Sequence, residues 1–238
     1  MSTEHRRILA LETSGRMGSV ALGDGRGWSV SARLSGNMKH TSELLPAVER
    51  LLCEQSWATD SLTDIFVSVG PGSFTGLRIG VTAARTLGWS VGSRIVAVPT
   101  LAVIACNALE FVPTPAHVAV VLDAKRQQVF TAAYALTGGR YRPLFDACLV
   151  DPREFLARCP RPLAVLGEGV DYHGEAVADS RVDVLPRELW PARAEHVLTV
   201  GLELADAGCY TLPGDLLPMY IRRPEAEEKW ALLHPEKA

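Results

Sequence analysis

The first third of the chain alternates short apolar runs with polar turns. Arg7 to Thr13 is apolar and strand-like and ends at Ser14-Gly15; Ser19 to Leu22 is a second run, closed by Gly23-Asp24-Gly25. Trp28 to Leu34 alternates. These spacings predict antiparallel hairpins joined by Gly/Asp turns. The period then changes. Leu44, Leu45, Val48, Leu51 and Leu52 recur at helical spacing with Glu49, Arg50 and Glu54 opposite, and Thr41 or Ser42 is the expected cap. Ile65 to Val69, bounded by Gly70-Pro71-Gly72, reads as a buried parallel strand. A long helix is predicted from about Thr75 to Val91, a strand at Ile95 to Val98 and a helix from Thr100 to Leu109.

Pro113-Thr114-Pro115 is the best boundary, because the β-rich opening recurs after it. Strands are predicted at His117 to Leu122, Val129 to Leu136 and Ala147 to Val150, the last entered through the Gly138-Gly139 turn. Helix-like Pro152 to Arg158, a strand at Leu163 to Leu166, a helix at Tyr172 to Ala178, a strand at Val182 to Leu185 and a helix at Ala194 to Asp206 complete the pattern. Both halves read β-β-β-α-β-α. Two stacked α/β lobes with mixed sheets follow, one over residues 1–112 and one over 113–238. Arg222 to Ala238 reads as a charged, mobile tail.

Composition narrows the function. With 24 Lys+Arg against 27 Asp+Glu, the charge of -3 argues against a broad basic surface and against autonomous nucleic-acid binding. The 5 cysteines are widely spaced and form no C-x-x-C, so neither a disulfide framework nor a zinc site is expected, and a reducing cytoplasm fits. No apolar run reaches the ~18 residues of a spanning helix. Met1 to Arg7 lacks the apolar segment of a signal peptide.

The most informative stretch is Gly70-Pro71-Gly72-Ser73-Phe74-Thr75-Gly76-Leu77-Arg78-Ile79-Gly80, a Gly-rich loop between a strand and a helix. Helix N-termini can hold anions. Yet no Gly-Lys-Ser/Thr follows, and Thr75 stands where a dinucleotide fingerprint needs its third glycine. The plainer reading is a tight turn capped by Ser73 or Thr75. Gly72, Gly76, Gly80, Ala84, Gly88 and Gly92 recur every four residues, a ridge without bulk on which another backbone can lie, within the domain or from a partner. Arg78, Thr82, Arg85 and Trp89 form a separate stripe, which is either a hot-spot surface or a solvated face with the indole half-buried. Glu12-Thr13-Ser14 could hold a metal-bound phosphate or close the first turn. Asp123 ends the corresponding strand of the second half, and Gly167-Glu168-Gly169 follows a later one, a place for a nucleotide's base or ribose or another plain turn. His40 is a lone histidine, and no G-x-S-x-G elbow accompanies Ser14, Ser73 or Thr75.

Six blocks occur here in an order that resembles the TsaB family. They are Ile8 to Ser14, His40 to Pro46, Gly70 to Gly80, Val98 to Leu101, Asp123 to Val129 and Pro218 to Arg222. The resemblance implies an actin-like (sugar kinase/Hsp70/actin) fold of two lobes. It also implies a non-catalytic role in forming threonylcarbamoyladenosine on tRNA, beside the catalytic subunit TsaD and the ATPase TsaE. Three ligand sets that actin-like relatives carry are incomplete: His40 stands without a second histidine, Asp123 is followed by Ala124 and Lys125, and Glu168 splits Gly167 from Gly169. No metal, no cofactor and at most weak nucleotide binding are expected. The family's pairing helices place Ala47, Arg50, Leu51, Arg78, Thr82, Arg85 and Trp89 at the surface for TsaD, or for a second copy of the chain when TsaD is absent. Contact with tRNA is expected only through the complex. The competing reading is a small-molecule kinase or peptidase-like enzyme on the same fold.

Overall fold

The structure, a computed structural model, describes residues 6–36 and 39–221; the charged tail read from the sequence, Arg222 included, lies outside them. The first half runs β1 (Ile8–Glu12), β2 (Ser19–Gly23), β3 (Ser29–Arg33), α1 (His40–Glu54), β4 (Asp64–Gly70), α2 (Phe74–Val91), β5 (Arg94–Pro99) and α3 (Thr100–Cys106). The second runs β6 (His117–Asp123), β7 (Val129–Thr137), β8 (Arg140–Val150), α4 (Pro152–Arg158), β9 (Ala164–Leu166), α5 (Gly169–Tyr172), α6 (Gly174–Asp179), β10 (Asp183–Val184) and α7 (Ala194–Asp206). The sheets have the same connectivity. The first is ordered β3-β2-β1-β4-β5 and the second, read from its other edge, β8-β7-β6-β9-β10. In each, the opening hairpins are antiparallel and the fourth and fifth strands join in parallel.

Side-chain alternation sorts the strands into layers. Ile8 and Ala10 of β1, Phe66 of β4 and Val96 and Val98 of β5 point inward, into one core shared with Val118, Val120 and Leu122 of β6. Leu9, Leu11, Ile65 and Val67 point outward onto α1 and α2. Ala119 and Val121 point outward onto the α4 side. Strands buried on both faces therefore read as unbroken apolar runs. The order is α1/α2, first sheet, α3/α7, second sheet, α4–α6.

The inner helices cross between the halves. α3 packs on β6, β7 and β8 as well as on β4 and β5, and α7 lies across β1, β2, β4 and β5. Gly201 permits that crossing, because a Cβ there would overlap the Phe66 ring. Beyond α7 the chain stays with the first sheet: Thr211 N donates to Ile95 O (2.8 Å), and Met219 N to Val69 O (2.6 Å). Glu203 of α7 in turn pairs with Arg140 (2.8 Å) and Arg142 (2.7 Å) of β8.

Three local expectations are corrected and one alternative is resolved. α1 begins at His40 behind Lys39, with no side-chain cap from Thr41 or Ser42. Of the two cap candidates for α2, Ser73 serves: its Oγ accepts from Gly76 N (3.2 Å). β8 starts at Arg140 rather than near Ala147, since an edge strand tolerates the polar run Arg140-Tyr141-Arg142-Pro143. The helix read at Tyr172 to Ala178 is two short helices, α5 and α6, meeting at His173.

Overpacking a fitted contact costs about 1–3 kcal/mol. Gly201→Ala and Gly76→Ala, whose Cβ atoms would overlap Phe66 and the Thr13 carbonyl, are each expected to destabilise by that amount in urea denaturation. Gly174→Ala, which meets nothing within 4 Å, stays within about 0.5 kcal/mol of the parent.

Candidate functional site

The glycine ridge of α2 faces inward, onto the end of β1. A Cβ at Gly72 would lie 2.5 Å from Ser14 O; at Gly76 and Gly80 it would overlap Thr13, and at Gly88 it would lie 2.6 Å from Ile95. From Gly72 to Gly88 the ridge thus packs within its own lobe and is not available to a partner; Gly92, its last member, is exposed. Hydrogen bonds complete the seam. Ser73 N donates to Ser14 O (2.6 Å), and Thr13 Oγ1 donates to Gly76 O (2.8 Å).

Glu12, at the end of β1, is fully buried. Its Oε1 accepts from Ser14 N (2.6 Å) and Ser14 Oγ (2.5 Å), and its Oε2 accepts from Ser68 Oγ. Burial pushes its carboxyl above the ordinary 4.5, against the opposing pull of the Ser14 and Ser68 bonds and the charge of His40. His40 is itself buried. Its Nε2 lies 2.9 Å from Gly15 O; a carbonyl only accepts, so Nε2 carries the proton. Its Nδ1 has no partner among the described residues and sits against Gly18, where a Cβ would lie 2.7 Å away.

In the second lobe Asp123 Oδ1 takes Lys125 N (3.1 Å) and lies 3.1 Å from His173 Nε2. Lys125, Arg126 and Gln127 continue with φ of 59, 52 and 59°, a left-handed turn closed by Gln128 N to Lys125 O (3.0 Å). Gly167 (φ 114°) and Gly169 are required by backbone approach, since a Cβ at either would strike Val121 O. Glu12, Thr13, Ser14 and Asp123 are therefore engaged by their own neighbours, and the residues present do not fit a metal-bound triphosphate. No group of three or more His, Cys, Asp or Glu side chains stands together as a metal site among the described residues.

Between the lobes a cavity of about 260 Å³ remains. Of the residues singled out from the sequence, Ser14, Gly72 and Glu168 line it. Sequence reading missed most of its wall: Thr100, Ile104, Leu122 and the segment Trp190-Pro191-Ala192. Asn107 Nδ2 holds that segment through Leu189 O (2.7 Å) and Pro191 O (2.9 Å). Burying an amide between loop carbonyls is a signal that appears only once the chain has folded.

The outer face of the first lobe divides the expected pairing residues. Ala47 and Leu51 are 7% and 2% exposed and belong to the core beneath α1, which corrects their assignment to a partner surface. Arg50, Arg78 and Thr82 are exposed, Arg85 is half-buried, and Trp89 is 78% exposed, not half-buried. Arg78 stacks over Phe74 (3.9 Å to the ring centre) and its Nε donates to Tyr220 OH (3.2 Å). Leu45 is exposed on the neighbouring turn of α1, beside a groove that Leu52, Trp57 and Leu87 also line.

Two five-stranded mixed sheets of like connectivity with shared inner helices form a two-lobed, actin-like fold. The family model of TsaD, tRNA N6-adenosine threonylcarbamoyltransferase, matches residues 36–230. The chain is 35% identical over 231 residues to the tRNA threonylcarbamoyladenosine biosynthesis protein TsaB of Bacillus subtilis, covering 94% of this chain and 97% of that one. An uncharacterized protein of Mycobacterium tuberculosis is 30% identical over 189 residues, 79% of this chain and 77% of its own. The solved structure of YeaZ from Pseudomonas aeruginosa superposes with a TM-score of 0.78 at 27% identity, over 90% of this chain and 99% of that one. This chain belongs to the TsaB family. Among the described residues no helix is long and apolar enough to cross a membrane.

A carboxyl raised by burial makes the native state hold its proton longer than the unfolded chain. Its contribution to stability is then full below the ordinary value and falls as pH rises above 4.5. Glu12→Gln can still accept from Ser14 N and donate to Ser68. The variant is expected to lose this decline, so the stability difference between variant and parent should grow in the variant's favour from pH 4.5 upward in urea titrations. A pH-independent difference would place the raised carboxyl elsewhere.

Proposed function

We propose that this chain serves in threonylcarbamoyladenosine biosynthesis as a non-catalytic subunit. It binds TsaD through the outer face of α1 and α2, and TsaE joins the pair. TsaD then transfers the threonylcarbamoyl group to N6 of adenosine-37 in tRNAs that read codons beginning with A. The TsaB relationship supports the pathway. The observation that carries the docking reading is Trp89. Its indole is 78% exposed on a helix whose opposite side is fixed to β1 by glycines. Aromatic rings of this size bury 150–250 Å² when covered, and Trp and Arg dominate interface energetics. Arg50, Arg78 and Arg85 give that surface a cationic edge, suited to carboxylates on the partner, and Thr82 adds a hydroxyl beside them. Without TsaD the same face would cover itself in a homodimer. tRNA is reached through the complex, in the cytoplasm.

Trp89→Ala combined with Arg85→Glu is expected to weaken co-purification with TsaD by at least about 30-fold, a hot-spot loss. The same variant should fail to restore threonylcarbamoyladenosine in cells lacking the chain. Glu175→Arg, on exposed α6 of the other lobe, should leave both unchanged. Wild-type pairing by the double variant would refute the docking face. Normal tRNA modification in cells without the chain would refute the function.

A further inference from the structure

We propose that residues 222–238 bind the outer face of α2 and the groove beside it within the same chain, as a displaceable cover. There they compete with TsaD and with a second copy. Binding of the segment stands on its own observations; the competition rests on the docking face proposed above.

Place comes first. The last described residues are tied to α2. Met219 N donates to Val69 O (2.6 Å). The Tyr220 ring packs on Phe74 (5.5 Å between centres), and its hydroxyl accepts from Arg78 Nε (3.2 Å). Arg222 therefore follows directly on a chain held against the first turns of α2, which starts at Phe74. From Arg78 to Trp89 that helix rises about 16 Å. Nine extended residues span up to about 30 Å, so Trp230 can reach the level of Trp89 with length to spare. A tether this short holds the segment at roughly millimolar effective concentration, so a weak contact suffices.

Complementarity comes second, and it occurs in the same order on both sides. On α2, Arg78 and Arg85 come first, and among the described residues neither has a carboxylate partner. Beyond them lies Trp89, 78% exposed. A groove of about 540 Å³ runs between α1 and α2, lined by Leu45, Leu52, Trp57 and Leu87. In the segment, Glu225, Glu227 and Glu228 precede Trp230, Leu232 and Leu233. Arg222 and Arg223 come before that acidic run and are set apart from it by Pro224. Carboxylates opposite guanidinium groups fix the register, and bidentate pairs are the strong ones. The indole and the two leucines then take exposed apolar surface out of water. A second copy would bring the same groups without the tether, which is why the segment of the same chain is the favoured occupant.

The test adds a fluorescein-labelled peptide of residues 223–238 to the full chain and reads fluorescence anisotropy. In the full-length variant Trp230→Ser with Leu233→Ser the face is free, and the peptide should bind with a dissociation constant of about 0.1 mM. The parent should bind it roughly tenfold more weakly, because its own segment competes. Adding Arg85→Glu to the variant should remove saturable binding. Glu227→Lys with Glu228→Lys, a second way to release the segment, should admit the peptide as the first variant does. No saturable binding at millimolar peptide, equal binding by parent and released variants, or binding indifferent to Arg85→Glu would each overturn the proposal. Released variants should also pair with TsaD up to about tenfold more tightly. Unchanged pairing beside the expected peptide results would refute the TsaD docking face and leave the cover standing.

Discussion

At Gly76 the backbone of α2 comes closer to the end of β1 than any side chain allows. Each glycine in a helix costs about 1 kcal/mol against alanine. That cost is offset by packing along the seam and by two buried hydrogen bonds, Ser73 N to Ser14 O and Thr13 Oγ1 to Gly76 O. The seam fixes the rotation of α2 about its axis. Once Gly72, Gly76, Gly80 and Gly88 face the sheet, Arg78, Thr82 and Trp89 must face away from it. The turn after Ser14 is fixed by the same contact, and with it one wall of the cleft.

The lobes are joined by more than a linker. α3 touches both sheets, and α7 is anchored to the first sheet across Phe66 while Glu203 holds Arg140 and Arg142 of the second. Asn107, just after α3, bonds the loop before α7. Moving one lobe against the other would have to break these bonds together with the shared apolar core. The cleft is consequently a fixed space whose dimensions follow from packing.

Most of the strands and long helices were legible because their residues obey one period each. Ile65 to Val69 is buried on both faces and reads as an unbroken run; α7 keeps its helical spacing from Ala194 to Asp206. What misled was the sidedness of α1. An amphipathic helix shows in sequence which residues share its apolar face, not whether that face meets its own sheet or a partner. Ala47 and Leu51 sit on the side that meets Leu9 and Leu11 in the core, while the stripe of α2 was identified through its polar members. The cleft was less legible still. Its wall joins Ser14, Ile104, Leu122 and Trp190, residues far apart in the chain with no common motif, brought together only when both sheets close on the inner helices.

Phosphate chemistry requires a cleft to keep donors and acceptors unsatisfied until substrate arrives, and unsatisfied buried groups lower stability. Here the corresponding groups serve the fold. Glu12 accepts three hydrogen bonds, Thr13 closes the seam with α2, and Asp123 caps its own turn and meets His173. Engaged in this way, these groups stabilise the protein's own centre. Among the described residues of the first lobe the most exposed large ring is the indole of Trp89, on the outer side of a helix that the glycine seam holds in place. Rigid support beneath an exposed aromatic ring reduces the ordering cost of association. The same glycines that close the interior thereby present the exterior, so on the proposed docking a change at Gly76 should weaken co-purification with TsaD even though Gly76 itself is buried.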